Sequence, residues 1–355
     1  MPEPQPRGPE LDKRKAYILT TVVYEYIATA EPVGSATLTH KYNLGVSSAT
    51  IRNEMAELEA RGYLVQPHTS AGRIPSDTGY RTYVDRLMPP ETLTPEENEH
   101  VRVEFAKAGR ALDEIIEQTT KLLAQLSQNL AVVVAPSRDT QTFRHLQLIW
   151  LAERSILMVV VTTAGVAEQH VIEPETSVDP DDLTRYSNAL NKRLSGKLLP
   201  ELDYEAVEAA LFDIRPHVQP SVIDGVARGL AATRRPEERR ILFGGAHHLL
   251  DQPEFRDLKK LRSILDLVEE QRTLYQVILD SIEKGDAPTV RIGGELELDD
   301  MSECSLVTIP YRMGDRSMGV LAVLGARRMP YGRMMALVSA TAGNLSQHLT
   351  DVALP

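Results

Sequence analysis

Over the first ninety residues the spacing of apolar positions changes several times within short distances. Between residues 11 and 29, Leu19, Val22, Val23 and Tyr26 recur at steps of three and four, the spacing of one helical face, and "EPVG" ends the pattern. Ser35 stands where it would cap a second, short helix running to Tyr42, and "NLGV" is a tight turn whose Gly45 suits positive φ. Ser47 or Ser48 caps a third helix that ends at Gly62; "YLVQP" follows as a short strand and then a polar hairpin. A further helix covers 76–88, and "PPETLTP" marks a boundary. This order of elements is that of a winged helix-turn-helix.

From residue 96 to about 130 a long helical pattern carries Val101, Phe105, Leu112, Ile115, Thr119, Leu122 and Leu126. It reads equally as a connecting or dimerising helix and as a helix packed on its own domain. Residues 131–172 then take on strand character: "AVVVAP", "FRHLQLIWL" with Leu146, Leu148 and Trp150 alternating, "ILMVVV" and "VAEQHVI", which short turns join into an antiparallel meander. Residues 175–285 return to helices, "SLVTIPYRM" and "RSMGVLAVLG" form a hairpin about "GD", and 330–349 is a closing helix. Strands on both sides of a helical block imply one α/β domain with a helical insertion, so the expected class is multidomain α+β. The expected division is a disordered extension at 1–10 and a winged helix-turn-helix at 11–90. A linker helix with the first part of the central domain follows at 91–174, an inserted domain at 175–245 and the second part at 246–355.

The chain has 355 residues, which fits two or three domains with cores of normal size. Its one cysteine, Cys304, has no partner for an intramolecular disulfide, and nothing nearby offers zinc-site spacing. The N-terminus is polar and proline-rich, and the longest apolar runs are far shorter than a bilayer span, so a cytoplasmic protein without a membrane partner is expected. The formal charge of −11 argues at first against a polyanionic partner. Its distribution does not: residues 11–90 hold nine Lys/Arg against eight Asp/Glu, and the deficit lies in residues 91–355. An acidic body behind a near-neutral first domain suppresses indiscriminate adhesion to nucleic acid.

On a helical wheel Ile51, Met55 and Leu58 share one side of the third helix. The opposite side holds Ala49, Arg52, Asn53, Ala56 and Ala60, flanked by Ser48, Thr50 and Glu57. A face this small lets a helix sit deep in a major groove, where Arg bonds guanine bidentately and Asn bonds adenine, while Ser47, Ser48 and Thr50 near the helix start reach phosphates or base edges. The sequence leaves open whether Arg52 reads a base or a phosphate. The hairpin "QPHTSAGRIP" adds His68, Thr69, Ser70 and Arg73 as donors to phosphate or the minor groove.

The stretch "PVGSATLTHKYNLGVSSATIRNEMAELEARGYLVQPHTSAGRIPSDTGYRTYVD", above all "SSATIRNEMAELE" followed by "HTSAGRIP", closely resembles the N-terminal domain of the HrcA family of heat-inducible transcription repressors. Fainter similarity continues through "FRHLQLIWL", "GGAHHLLDQPEF" and "GVLAVLGARRMPYGRMMALV". The resemblance implies a homodimer on an inverted-repeat operator, the CIRCE element, upstream of chaperone operons. It implies a winged helix, a GAF-like domain and a mainly helical dimerisation domain inserted into the latter, with a GroE-type chaperonin maintaining the active form. The amphipathic segments "DDLTRYSNALNKRL" and "LKKLRSILDLVEEQRTLYQVIL" suit either an interface or an intradomain core.

Two rival readings are weaker. A metabolite-responsive regulator would use the GAF-like domain as effector site, but no polar cluster in 131–172 or 290–349 marks a ligand. An enzyme would need a site that the chain does not display. Adjacent His247 and His248 diverge by about 100° on a helix, and "RIGGELELDD" is neither a phosphate loop nor a dinucleotide fingerprint. No cofactor or metal is expected.

Overall fold

The computed structural model describes residues 11–42, 45–69, 71–107, 109, 112–135, 142–162, 167–234, 241–279 and 285–353. The N-terminal extension at 1–10 lies outside them. The first helices are α1 (Lys13–Thr29), α2 (Ser35–Lys41) and α3 (Ser48–Ala60), followed by β1 (Leu64–Val65), its antiparallel partner β2 (Ile74–Pro75), and α4 (Asp77–Thr82), which runs into one π-helical turn at Tyr83–Leu87. Asp12 caps α1 by accepting from the Lys15 amide at 2.9 Å. Of the apolar positions found by period, Leu19, Val22 and Val23 of α1 are buried with Ile51, Met55 and Leu58 of α3, and Tyr26 is half-buried against the same core. Ser35 does not cap α2 as expected; the cap position is Gly34, and the Ser35 hydroxyl instead hydrogen-bonds Ser48 at 3.0 Å.

The pattern from 96 to 130 resolves into α5 (Pro95–Lys107) and α6 (Leu112–Ser127), both packed on their own domain. Eight strands follow among the described residues: β3 (Leu130–Val134), β4 (Phe143–Ala152), β5 (Ser155–Thr162), β6 (Ala167–Ile172), β7 (Ile241–Gly244), β8 (Thr289–Ile292), β9 (Cys304–Met313) and β10 (Arg316–Ala326). The later helices are α7 (Pro180–Leu194), α8 (Tyr204–Ala210), α9 (Pro220–Arg234), α10 (Leu258–Glu269), α11 (Gln271–Leu279) and α12 (Tyr331–Ala353). The strands form two separate sheets.

A five-stranded sheet in the order β7-β3-β10-β9-β8 is the body of the molecule, and every pairing in it is antiparallel, so the body is α+β and not α/β. Alternation divides its side chains: Ala131, Val133, Leu321 and Val323 join the core that includes α5, α6 and α12, whereas Leu130, Val132, Val320 and Ala322 join that of α10 and α11. Strands β4, β5 and β6 form a second sheet, backed by α7, α8 and α9 around a core of its own that includes Phe143, Leu146, Met158, Val160, Leu190 and Val226.

This pairing corrects the expected boundaries. The continuous meander over 131–172 does not exist, because β3 has β10 on one edge and β7 on the other, leaving no edge for β4. The inserted unit therefore runs from 143 to 234 and contains its own sheet, while β7, expected inside the insertion, belongs to the body.

The winged helix is fastened to the body by polar contacts. Arg81 Nε donates to Glu295 Oε1 at 2.8 Å and its Nη2 to the Val290 carbonyl at 2.6 Å. Arg328 reaches the Ile27 carbonyl at 3.2 Å, and Tyr80 meets Tyr331 edge-on with centroids 5.8 Å apart.

Candidate nucleic-acid interface

Helix α3 begins where Ser47 accepts from the Thr50 amide at 3.2 Å, while the two hydroxyls lie 3.0 Å apart. Ser48, half-buried, is held by Ser35 of α2, which fixes the crossing of the two helices. Burial of Ile51, Met55 and Leu58 sets the helix rotation, and that rotation exposes Ala49, Arg52, Asn53, Ala56 and Ala60. Four of these, Ala49, Asn53, Ala56 and Ala60, fall at i, i+4, i+7 and i+11, a ridge of three methyl groups and one amide. Nothing on it keeps a neighbouring surface from closing to near van der Waals contact with the helix backbone.

Acidic residues on the same helix would repel a polyanion, and the fold ties them down. The buried Lys15 places Nζ 2.8 Å from Glu54 and 3.0 Å from Glu57, with Asp12 at 2.9 Å. These hydrogen bonds, Glu54 first, raise the Lys15 pKa well above the usual lysine range, so the ammonium stays charged. Sequence reasoning missed Lys15, since a contact between α1 and α3 some forty residues apart leaves no local signature.

The wing pairs Leu64 with Pro75 and Val65 with Ile74, and a third segment joins through Val33 and Arg73, whose backbones exchange two hydrogen bonds of 2.9 Å. That approach requires Gly72: a Cβ there would stand 2.4 Å from the Val33 carbonyl. The Gln66 amide donates to the carbonyls of Thr69 at 3.1 Å and Ala71 at 2.9 Å, closing the wing tip, on which His68 and Thr69 are exposed. Ser70 lies outside the described residues.

The structure gives Arg52 and Arg73 different surroundings. Arg73 Nε donates to Glu59 Oε2 at 2.8 Å and its side chain is only 16 % exposed, so it braces the wing against α3 instead of standing free at the tip. Arg52 is exposed and makes no hydrogen bond or ion pair with any described residue.

The model for the HrcA protein C-terminal domain matches residues 113–335. A heat-inducible transcription repressor HrcA of Symbiobacterium thermophilum is 39 % identical over 339 residues, covering 95 % of this chain and 98 % of that one. The chain belongs to the HrcA family. An HrcA of Moorella thermoacetica is 38 % identical over 344 residues, covering 96 % of this chain and 99 % of its own. A solved structure of a protein described as hypothetical covers 96 % of this HrcA-family chain and 98 % of its own with a TM-score of 0.63 at 24 % identity, a likeness of fold.

The rival sites have ordinary packing. His247 and His248 do not diverge as expected of neighbours on a helix: they sit in a 3-10 turn with ring centroids 4.0 Å apart, and burial lowers the His248 pKa. Cys304 is buried in β9, its thiol pushed up to about 12 by desolvation. Among the described residues no group of three or more His, Cys, Asp and Glu stands close enough to hold a metal, and no helix is long and apolar enough to cross a membrane.

Proposed function

We propose that this HrcA-family chain is a heat-inducible transcriptional repressor of the cytoplasm that binds double-stranded DNA through the exposed face of α3 and the wing. The observation that carries this reading is the ridge of Ala49, Asn53, Ala56 and Ala60, beside a polar wing tip, on a helix whose Glu54 and Glu57 share the Lys15 ammonium behind it. Ser47, Ser48 and Thr50 stand at the helix start, where amide and hydroxyl donors meet phosphate.

The target is an inverted repeat of the CIRCE type, and the protein acts as a homodimer whose two-fold axis matches it. The inserted unit supplies the interface, through its sheet and not its helices. One face of that sheet packs on α7–α9; the other presents the cross-strand rows Ile149–Leu157–Val171 and Gln147–Val159–Gln169, with Val171 62 % exposed. A half-exposed apolar sheet is the kind of surface that a second copy covers.

A GroE-type chaperonin maintains the active form, and heat lifts repression by drawing the chaperonin to unfolded clients. The test is binding of the purified protein to a CIRCE-type inverted repeat and to a scrambled duplex at fixed salt, with and without chaperonin and ATP. Preference for the repeat, raised by chaperonin, is the expected result; equal binding to both duplexes in both conditions would sink the reading.

One feature favours a second reading, a metabolite-responsive regulator. A groove of about 430 Å³ lies between the segment at 88–93 and α12, lined by Met88, Glu91, Leu93, Met335 and Ala336 among others. An operator affinity that changes with an added apolar metabolite at constant temperature supports that reading.

A further inference from the structure

A winged helix that puts α3 in a major groove and its wing on the neighbouring minor groove leaves one strand of sugar-phosphate between the two. The molecule has a cleft at that place. It has a volume of about 470 Å³, and its walls are Arg52 of α3, Ser35 at the start of α2, and Gln66, Thr69 and Arg73 of the wing. The lining is polar, and no carboxylate is part of it among the described residues.

The two cations in the walls differ in charge balance. Arg73 is neutralised by Glu59. Among the described residues Arg52 has no such partner, so it is the cation of the cleft that no described carboxylate compensates. Its position on α3 also sets it apart from the ridge: Arg52 and Met55, three residues apart, line the cleft, whereas Asn53, about 100° further round, stands with Ala49 and Ala56 on the outermost line. A base edge deep in the groove is approached by the ridge, and a phosphate is approached from the side.

We propose that this cleft seats one phosphodiester of the DNA backbone where it passes between the grooves, and that Arg52 is its ligand and not a reader of bases. This rests on the DNA-binding function above and assigns the role of one residue within it. An arginine on phosphate contributes affinity without sequence information, and releases counterions in proportion to the phosphates neutralised. Discrimination then falls to Asn53 and to the fit of the alanine ridge.

The test uses the full chain and three kinds of duplex: the operator, a scrambled sequence, and operators in which one phosphate at a time is replaced by an uncharged methylphosphonate. Arg52→Ala is expected to weaken binding to the operator and the scrambled duplex by the same factor, on the order of tenfold, and to reduce the salt slope by about one for each half-site occupied. At one methylphosphonate position the wild type loses affinity and Arg52→Ala loses none further. Arg52 is exposed and pairs with no described residue, so an unchanged melting curve is expected and checks that the variant is folded. Loss of discrimination at a single base pair with an unchanged slope, or no methylphosphonate position that couples to Arg52, overturns the proposal while leaving the DNA-binding function intact. A wild type that binds neither duplex overturns both.

Discussion

Arg327, just beyond β10, donates from Nη1 to the Asp77 carboxylate at 2.7 Å and so joins the central sheet to the first residue of α4. The other Asp77 oxygen accepts from the Gly294 amide at 3.1 Å, and Gly293, at φ +51°, must lack a Cβ, which would come within 2.6 Å of that oxygen. One turn further along α4, Arg81 grips Glu295. The helix that follows the wing is thus held by charge-assisted hydrogen bonds on two successive turns. Arg327→Ala is expected to destabilise the protein by about 1–3 kcal/mol. Because Asp77 is 39 % exposed, the difference from wild type should narrow in 1 M salt. Denaturant unfolding at low and high salt measures it, and an unfolding midpoint identical to wild type at low salt would show that the contact holds nothing.

Ala56 tests the ridge. It is exposed on α3 between Met55 and Glu57, and leucine is nearly as good a helix former, so Ala56→Leu should change stability by no more than about 0.5 kcal/mol. The added bulk stands where the helix would meet the floor of a groove. Operator affinity should fall tenfold or more, read by titration at fixed salt; wild-type affinity would remove this face from the interface.

How far the sequence exposed these features depended on the range of the interactions involved. The apolar faces of α1 and α3 and the β9–β10 hairpin are local patterns legible from spacing alone, and spacing narrowed the α3 cap to Ser47 or Ser48, of which the structure uses Ser47. The split of 130–172 between two sheets was not, since "AVVVAP" and "ILMVVV" are equally apolar and only the pairing of β3 with β10, nearly two hundred residues away, assigns them. The short strands β7 and β8 were missed because four residues of strand carry little periodicity, and β7 in addition finds its partner β3 about a hundred residues away. At the site, the sequence set Arg73 on the wing as a free donor, and its pairing with Glu59 of α3, fourteen residues away, left no local signature.

Glu25 gives the winged helix a dependence on pH. It is buried in α1, its carboxylate pairs with Lys41, and it accepts from the Tyr42 hydroxyl at 2.9 Å, tying α1 to the end of α2. The Lys41 hydrogen bond holds the Glu25 pKa below its ordinary value of 4.5, and burial together with Glu25 pushes the Tyr42 phenol up to about 12. A folded-state pKa below the unfolded one means that the stabilisation is fully present above about pH 4.5 and is lost as the pH falls through the folded value. Glu25→Gln should therefore be less stable than wild type at pH 7, and the two should converge under acid. Melting curves from pH 7 to pH 3 that stay parallel would contradict the assignment.

Val159 decides between the sheet and the helices of the inserted unit as the dimer interface. It lies on the central strand of the open face, between Gln147 and Gln169, while its neighbours Met158 and Val160 point into the core under α7–α9. Val159→Lys consequently places a charge in the face without disturbing that core, and burying an unpaired ammonium against a second copy costs several kcal/mol. The variant is expected to sediment as a monomer, to melt at a temperature independent of protein concentration where the wild type does not, and to lose the preference for an inverted repeat over a single half-site. A variant that keeps both the wild-type mass and that preference would move the interface away from this sheet.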